Sequence, residues 1–456
     1  MRPWWLLGML LLATCATAPA TPTTAPPSSV TGGFVEARGG PAAAPLPGNW
    51  WRLFSDPVLD EQVERALAAN VDIRTALANL EVARAAVRQT RASQIVRGGV
   101  ESGAGAINAV DQPSTTTVPT TDYDLGAGLA YEIDLFGRLR YATLAARADA
   151  DASAAALDAA RVMTVADTVL AYVDLCGATA NERIAKEQVA TQRHSAELIA
   201  RQFKRGEVSP LEVSQARGLL HRVEALPSPF TADRRRALFR LAALQAKPPR
   251  EADQLMIGCT AAPALATEFP VGDGAGLIAR RPDIREAERK LVAATARIGV
   301  ATADLYPRIS LGGSMGLTGG GFDAFATPLI SWAFVDRTSV RARIAAARGA
   351  EAAALVNWDA VMLRALREVE SALADYSAER TRRTALRQAL AEAETAMTRA
   401  RARYRLGAES YLLVLDAERS HIEAAALLAG SDLRIAQLQV LLFRALGGGW
   451  QQASAP

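Results

Sequence analysis

Two stretches of the chain, Tyr141 to Arg205 and Thr338 to Leu406, contain no proline and only one glycine each, Gly177 and Gly349. Ordinary globular helices end near ~20 residues. A helix of about 65 residues, rising 1.5 Å per residue, is on the order of 100 Å long, roughly three times a bilayer core. Helices this long, rich in alanine and balanced in charge, pack side by side as coiled coils. The chain is therefore expected to be mainly α, with the long helices as its frame. Lys+Arg 51 against Asp+Glu 48 gives a net charge of +3 over 456 residues with no basic block, which argues against a nucleic-acid partner. His194, His221 and His421 and the three cysteines are scattered without CxxC or HExxH, so no metal site or cofactor is expected.

Between the helices the period changes. Leu125, Ala127, Leu129, Tyr131, Ile133 and Leu135 alternate with Gly126, Gly128, Ala130, Glu132 and Asp134, and Ile309 to Leu317 alternates likewise with Ser310, Gly312, Ser314 and Gly316. Such strict alternation predicts strands with one apolar and one small or polar face. Weaker strands are expected at Val96 to Ala106 and Pro328 to Val335, and a helix from Pro57 to about Arg91. The pattern also repeats. Asp72-Ile73-Arg74 recurs as Asp283-Ile284-Arg285, and Phe203 to Val213 recurs as Tyr404 to Val414. Each half reads as helix, β-hairpin, very long helix, tight turn and return helix. Two halves supply only four strands, whereas bacterial single-chain barrels begin at about eight. Open edges in lipid leave backbone groups unsatisfied. Strands must come from other copies, and three copies of four strands close a 12-stranded barrel.

At the N-terminus, Met1-Arg2 and the apolar run Trp4 to Ala13 have the form of a signal peptide, too short to span a bilayer. The run ends in Leu12-Ala13-Thr14-Cys15, which resembles a bacterial lipobox with Cys15 as the lipidated residue; cleavage after Ala16-Thr17-Ala18 without lipid is the alternative, because Thr14 is an unusual residue there. The expected organisation is 1–15 signal peptide with lipobox, 16–48 tether, 49–255 first repeat, 256–278 linker, 279–450 second repeat and 451–456 tail. With Cys15 lipidated, Cys176 and Cys259 remain as a pair in an oxidising compartment and are expected to be bonded, two free buried thiols being the alternative.

The chain resembles the TolC-like outer membrane factors, and within them the NodT-like lipoproteins that serve resistance-nodulation-division (RND) efflux pumps. The resemblance is carried by Trp51 to Leu59, Tyr131 to Arg138, Arg280 to Arg289, Ile298 to Arg308 and Ala445 to Trp450, five strings in the family's order. It implies a homotrimer with a transmembrane β-barrel and a periplasmic α-barrel, anchored by lipid in the outer membrane. It further implies a non-enzymatic duct that passes small compounds outward, joined by a periplasmic adaptor to an inner-membrane RND pump.

Carried over residue by residue, the resemblance makes the turns at Gly206 and Gly407, with Ser209 and Ser410, the tips that dock the adaptor. Asp416 matches an acid that narrows the pore entrance, and Leu413 stands where TolC has a second acid. Tyr404 and Glu212 match a tyrosine and an acid that bond between helices to latch the closed state, while Glu409 replaces a basic family residue. Gly312-Gly-Ser-Met-Gly316 satisfies the hydrolase pattern G-x-S-x-G, but a nucleophile elbow needs a helix directly after the serine, and Ser314 lies in an expected strand. Two other roles remain possible from sequence: a lipid-anchored coiled-coil adaptor or scaffold, and a type I secretion outlet of the same family.

Overall fold

A computed structural model describes residues 32–36, 47–109, 118–255, 257–263, 265, 274–318, 321–332 and 336–448. The expected signal peptide, Cys15, most of the expected tether, the stretch 110–117, residues 333–335 of the fourth expected strand and the expected tail lie outside the described residues.

A 3-10 turn at Trp50–Phe54 precedes α1 (Pro57–Ala69), α2 (Val71–Ala92), β1 (Arg97–Ala109), β2 (Val118–Ile133), α3 (Arg138–Lys204), α4 (Pro210–Glu224) and α5 (Pro227–Leu244). A second 3-10 turn, Pro249–Leu255, leads to α6 (Gly274–Arg280), α7 (Pro282–Ala303), β3 (Arg308–Thr318), β4 (Gly321–Ser331), α8 (Arg337–Arg405) and α9 (Tyr411–Ala445). The two proline-free stretches are thus single helices of 67 and 69 residues.

Three expectations need correction. The first helix is two, because the side chain of Asn70 accepts from the N–H groups of Asp72 and Ile73 and donates to Leu244 O, capping α2 where the pattern suggested continuity. The first return helix is likewise two, broken between Glu224 and Pro227, since proline has no N–H to continue the ladder. The fourth strand begins at Gly321 rather than Pro328, because Phe322 to Thr327 pair with β3 in unbroken register; Pro328 is tolerated because β4 is an edge strand.

The described residues fall into two compact units that cut across the sequence repeats. One draws on Leu77–Ala156 and Asp283–Val361; the other on Pro26–Ala76, Leu157–Pro282 and Met362–Pro456. The first holds a four-stranded antiparallel sheet in the order β1-β2-β3-β4. Asp134 caps α3 by accepting from the N–H groups of Leu139 (3.1 Å) and Arg140 (2.9 Å). Gly299 lets α7 approach α3, since a Cβ there would lie 2.5 Å from Tyr141 Cγ.

The second unit is built around Trp50, which is fully buried and stacks on Phe443 at 4.4 Å. Asp56 caps α1 and accepts the Tyr172 hydroxyl at 2.7 Å. Cys176 of α3 is bonded to Cys259, with Cα atoms 5.4 Å apart, beside a cluster of Ala171, Leu175, Leu241 and Ala242. The backbone N–H groups of Val35 and Glu36 donate to the two carboxylate oxygens of Glu370 at 2.7 and 3.1 Å, and Phe34 is buried, so part of the expected tether docks on α8.

Candidate functional site

Two features, one in each unit, carry chemistry that a folded core does not need. In the first unit the register aligns side chains into two unlike faces. Leu125 of β2 lies opposite Leu317 of β3, which lies opposite Phe322 of β4; two residues along, Ala127, Met315 and Ala324 line up with Val100 of β1. Tyr131, Leu311 and Pro328 share this face, as do Ile133, Ile309 and Ile330. Val100, Leu125, Leu129, Met315, Leu317, Phe322 and Ile330 are all at least half exposed. The opposite face of β2 and β3 is Gly126, Gly128 and Ala130 against Gly316, Ser314 and Gly312. Shielding a Leu or Phe side chain from water is worth about 1.5–3 kcal/mol, so an exposed apolar sheet is stable only against another apolar phase. β1 and β4 each have one partner strand among the described residues, leaving two open edges.

In the second unit the ends of two helical hairpins pack together. Their shared core joins Ala196 and Ile199 of α3, Val213 and Ala216 of α4, Ala400 of α8, and Tyr411, Val414 and Leu415 of α9. Gly206 and Gly407 take positive φ, +77° and +70°, and close matching turns. Gly206 N–H donates to Phe203 O and Glu207 N–H to Gln202 O; Gly407 N–H donates to Tyr404 O and Ala408 N–H to Arg403 O. This paired pattern ends a helix on a left-handed residue, a conformation that glycine adopts without a Cβ clash. Ser209 and Ser410 are the N-cap residues that start the return helices.

The turns differ at the third helical position. Glu212 reaches back to accept the Ser209 N–H at 2.7 Å, whereas the equivalent position after Ser410 is Leu413, which offers no acceptor. The latch implied by the resemblance joins Tyr404 and Glu212; within the chain, the Tyr404 hydroxyl donates to Gln202 Oε1 at 3.0 Å, and Glu212 accepts the Ser209 N–H. Tyr404 and Glu212 are nonetheless neighbours. Burial first, and then the charges of Glu212 and Glu207, raise the Tyr404 pKa above that of an ordinary phenol. Glu409 pairs with Arg403 at 2.7 Å.

Leu413 and Asp416, three residues apart on α9, are both exposed, while Tyr411, Val414, Leu415 and Glu418 face inward. The pair therefore points away from its own chain's core. Sequence reasoning missed the contact that fixes this orientation. Glu418, 2% exposed, accepts from Arg401 Nε at 2.9 Å and Nη2 at 2.7 Å through one oxygen, with Ser195 Oγ at 3.5 Å. The signal was there: Tyr411, Val414, Leu415 and Glu418 follow helical spacing, which places the acid on the buried stripe.

The sequence profile of outer membrane efflux proteins matches residues 63–246 and 276–448. Outer membrane protein OprJ of Pseudomonas aeruginosa is 32% identical, over 98% of this chain and 95% of its own. Nodulation protein T of Rhizobium leguminosarum bv. trifolii is 30% identical over 97% of this chain and 96% of its own. Among solved structures, the outer-membrane channel OprN is similar at a TM-score of 0.87 and 34% identity, covering 95% of this chain and 100% of that one.

Proposed function

The chain belongs to the outer membrane efflux protein family, and from that premise we propose that it is the outer-membrane channel of a tripartite efflux pump, exporting small compounds from the periplasm. The observation that carries this reading is the exposed apolar sheet with its two open edges. Lipid satisfies the face, and strands of other copies satisfy the edges. Three copies of four strands close a 12-stranded barrel, and the long helices of the three copies pack as an α-barrel. A coiled-coil adaptor has no use for such a sheet.

The finer parts of the proposal concern residues. Cys15 carries the lipid anchor. The turns at Gly206 and Gly407, with Ser209 and Ser410, dock a periplasmic adaptor that joins the channel to an inner-membrane RND pump. Three copies of Asp416 form a cation-attracting ring at the pore entrance, with Leu413 making it more apolar than a double acidic ring. Tyr404 and Glu212 form a latch between helices that holds the closed state, a reading supported by the nearness of the Glu212 charge to the Tyr404 hydroxyl.

Planar-bilayer conductance of the detergent-purified protein, with its mass measured in parallel, tests the reading. The expected result is a lipid-modified trimer with a small, cation-selective conductance that rises about twofold or more, with weaker cation selectivity, in Asp416→Ala. A soluble monomer without conductance would overturn the channel, and a conducting trimer indifferent to Asp416→Ala would remove the ring.

A further inference from the structure

The small-residue face of the sheet carries two large apolar side chains, both on β4: Leu329, opposite Ser310, and the aromatic Phe325. Phe325 of β4 lies opposite Ser314 of β3, which lies opposite Gly128 of β2, which lies opposite Gly99 of β1. Strand alternation therefore puts its ring on the face away from Leu125 and Phe322. The ring is 63% exposed. Beyond Ser314 the floor is bare: a Cβ built on Gly126 or Gly128 of β2 would meet only a strand carbonyl at 3.9 Å and on Gly99 of β1 nothing within 4 Å, while on β3 Leu329 overhangs Gly312, 3.3 Å from a Cβ there. One row away, Asp323, Gly316, Gly126 and Glu101 line up across the four strands, and both carboxylate residues are exposed. Rows on one face are two residues, or roughly 7 Å, apart along a strand.

We propose that Phe325, with Asp323 in the adjoining row, forms a wall site inside the barrel that takes amphipathic organic cations in transit, with Glu101, three strands and roughly 14 Å away in that row, adding to the negative field. The inference rests on the channel reading, which turns the apolar face to lipid and this face to the lumen. The chemistry is that of an apolar cation meeting its complement. The ring face attracts a cation and shields its apolar part, and the carboxylate row draws positive charge to the same stretch of wall. The glycine floor leaves room for a bulky molecule to lie against the strands. The site is open on one side, so a bound cation leaves as readily as it enters, which passage requires. Three copies would place one such site on each third of the wall.

The test uses the full chain reconstituted in a planar bilayer, with tetraphenylphosphonium as the probe and potassium current as the readout. The wild-type current should be partly blocked, and the half-blocking concentration should rise about three- to fivefold in Phe325→Ser. Phe325→Leu keeps the side-chain bulk and should show the same loss, which separates ring recognition from simple widening and serves where the serine variant fails to insert. Asp323→Asn should shift the block about twofold, and Thr327→Ser, on the same face, should leave it unchanged. Absence of wild-type block, or equal block in wild type and Phe325→Leu with conductance intact, overturns the wall site and leaves the channel standing. Absence of any wild-type current overturns the channel reading and the wall site with it.

Discussion

Arg401→Met should destabilise the paired hairpin ends by about 3–5 kcal/mol, whereas Arg401→Met combined with Glu418→Leu should cost far less. The reason lies in where the charge sits. Glu418 is buried against α8 and α3, and its charge is balanced by both guanidinium contacts of Arg401 on one oxygen. The second oxygen of Glu418 and the hydroxyl of Tyr411, seven residues earlier on the same helix, make no hydrogen bond among the described residues. Removing the arginine leaves an uncompensated carboxylate in a low-dielectric site, and removing both partners leaves an apolar seam. The single and double variants therefore differ in order, not only in size. Limited proteolysis at Arg205 and Arg403, beside the turns, reads the local opening free energy, and thermal unfolding followed by circular dichroism reads the global one. A double variant as unstable as the single would show that the pair contributes by attraction rather than by mutual neutralisation. The single variant should also loosen the end of α9 that bears Asp416.

Reducing the Cys176–Cys259 bond, or replacing either cysteine by serine, should cost about 4–5 kcal/mol in the loop-entropy description for two cysteines 83 residues apart. Cys176 is fully buried in the middle of α3, and the bond draws the segment after the Pro249–Leu255 turn onto the core made by α3 and α5. Because either substitution breaks the same bond, Cys176→Ser, Cys259→Ser and the double variant should unfold at nearly the same denaturant concentration. Adding reductant should move only the wild type. Additive losses from the two single substitutions would mean that the cysteines contribute by separate packing and not by their bond.

The long helices were legible because their signal is the absence of breakers over many turns, and each observed end lies within three residues of the expected one. The two inner strands were legible because both have an alternating face. β4 was misplaced because its identity comes from pairing: Phe322 to Thr327 show no clean alternation alone and become strand by hydrogen bonding to β3. The breaks at Asn70 and Pro227 depend on a single side chain each, a cap in one case and a missing donor in the other. At the turns, the glycines and serines were visible in the repeat. The partner of Tyr404 was not, because Gln202 lies 202 residues away in sequence and carries no pattern of its own. Glu418 was overlooked for a different reason: an acid in a helix is usually solvated, and only its place in the Tyr411 stripe argues otherwise.

The open edges of the sheet also bear on time. A strand edge finishes its hydrogen bonds only when a partner arrives, so in the proposed trimer the last step of folding for β1 and β4 is an encounter between chains. Its rate then depends on how many protomers are present, and the completed sheet has no stability separable from their concentration. A cell making this protein slowly would hold a standing population of half-finished sheets, each with two adhesive rims. Such chains are substrates for chaperones and proteases before they are channels.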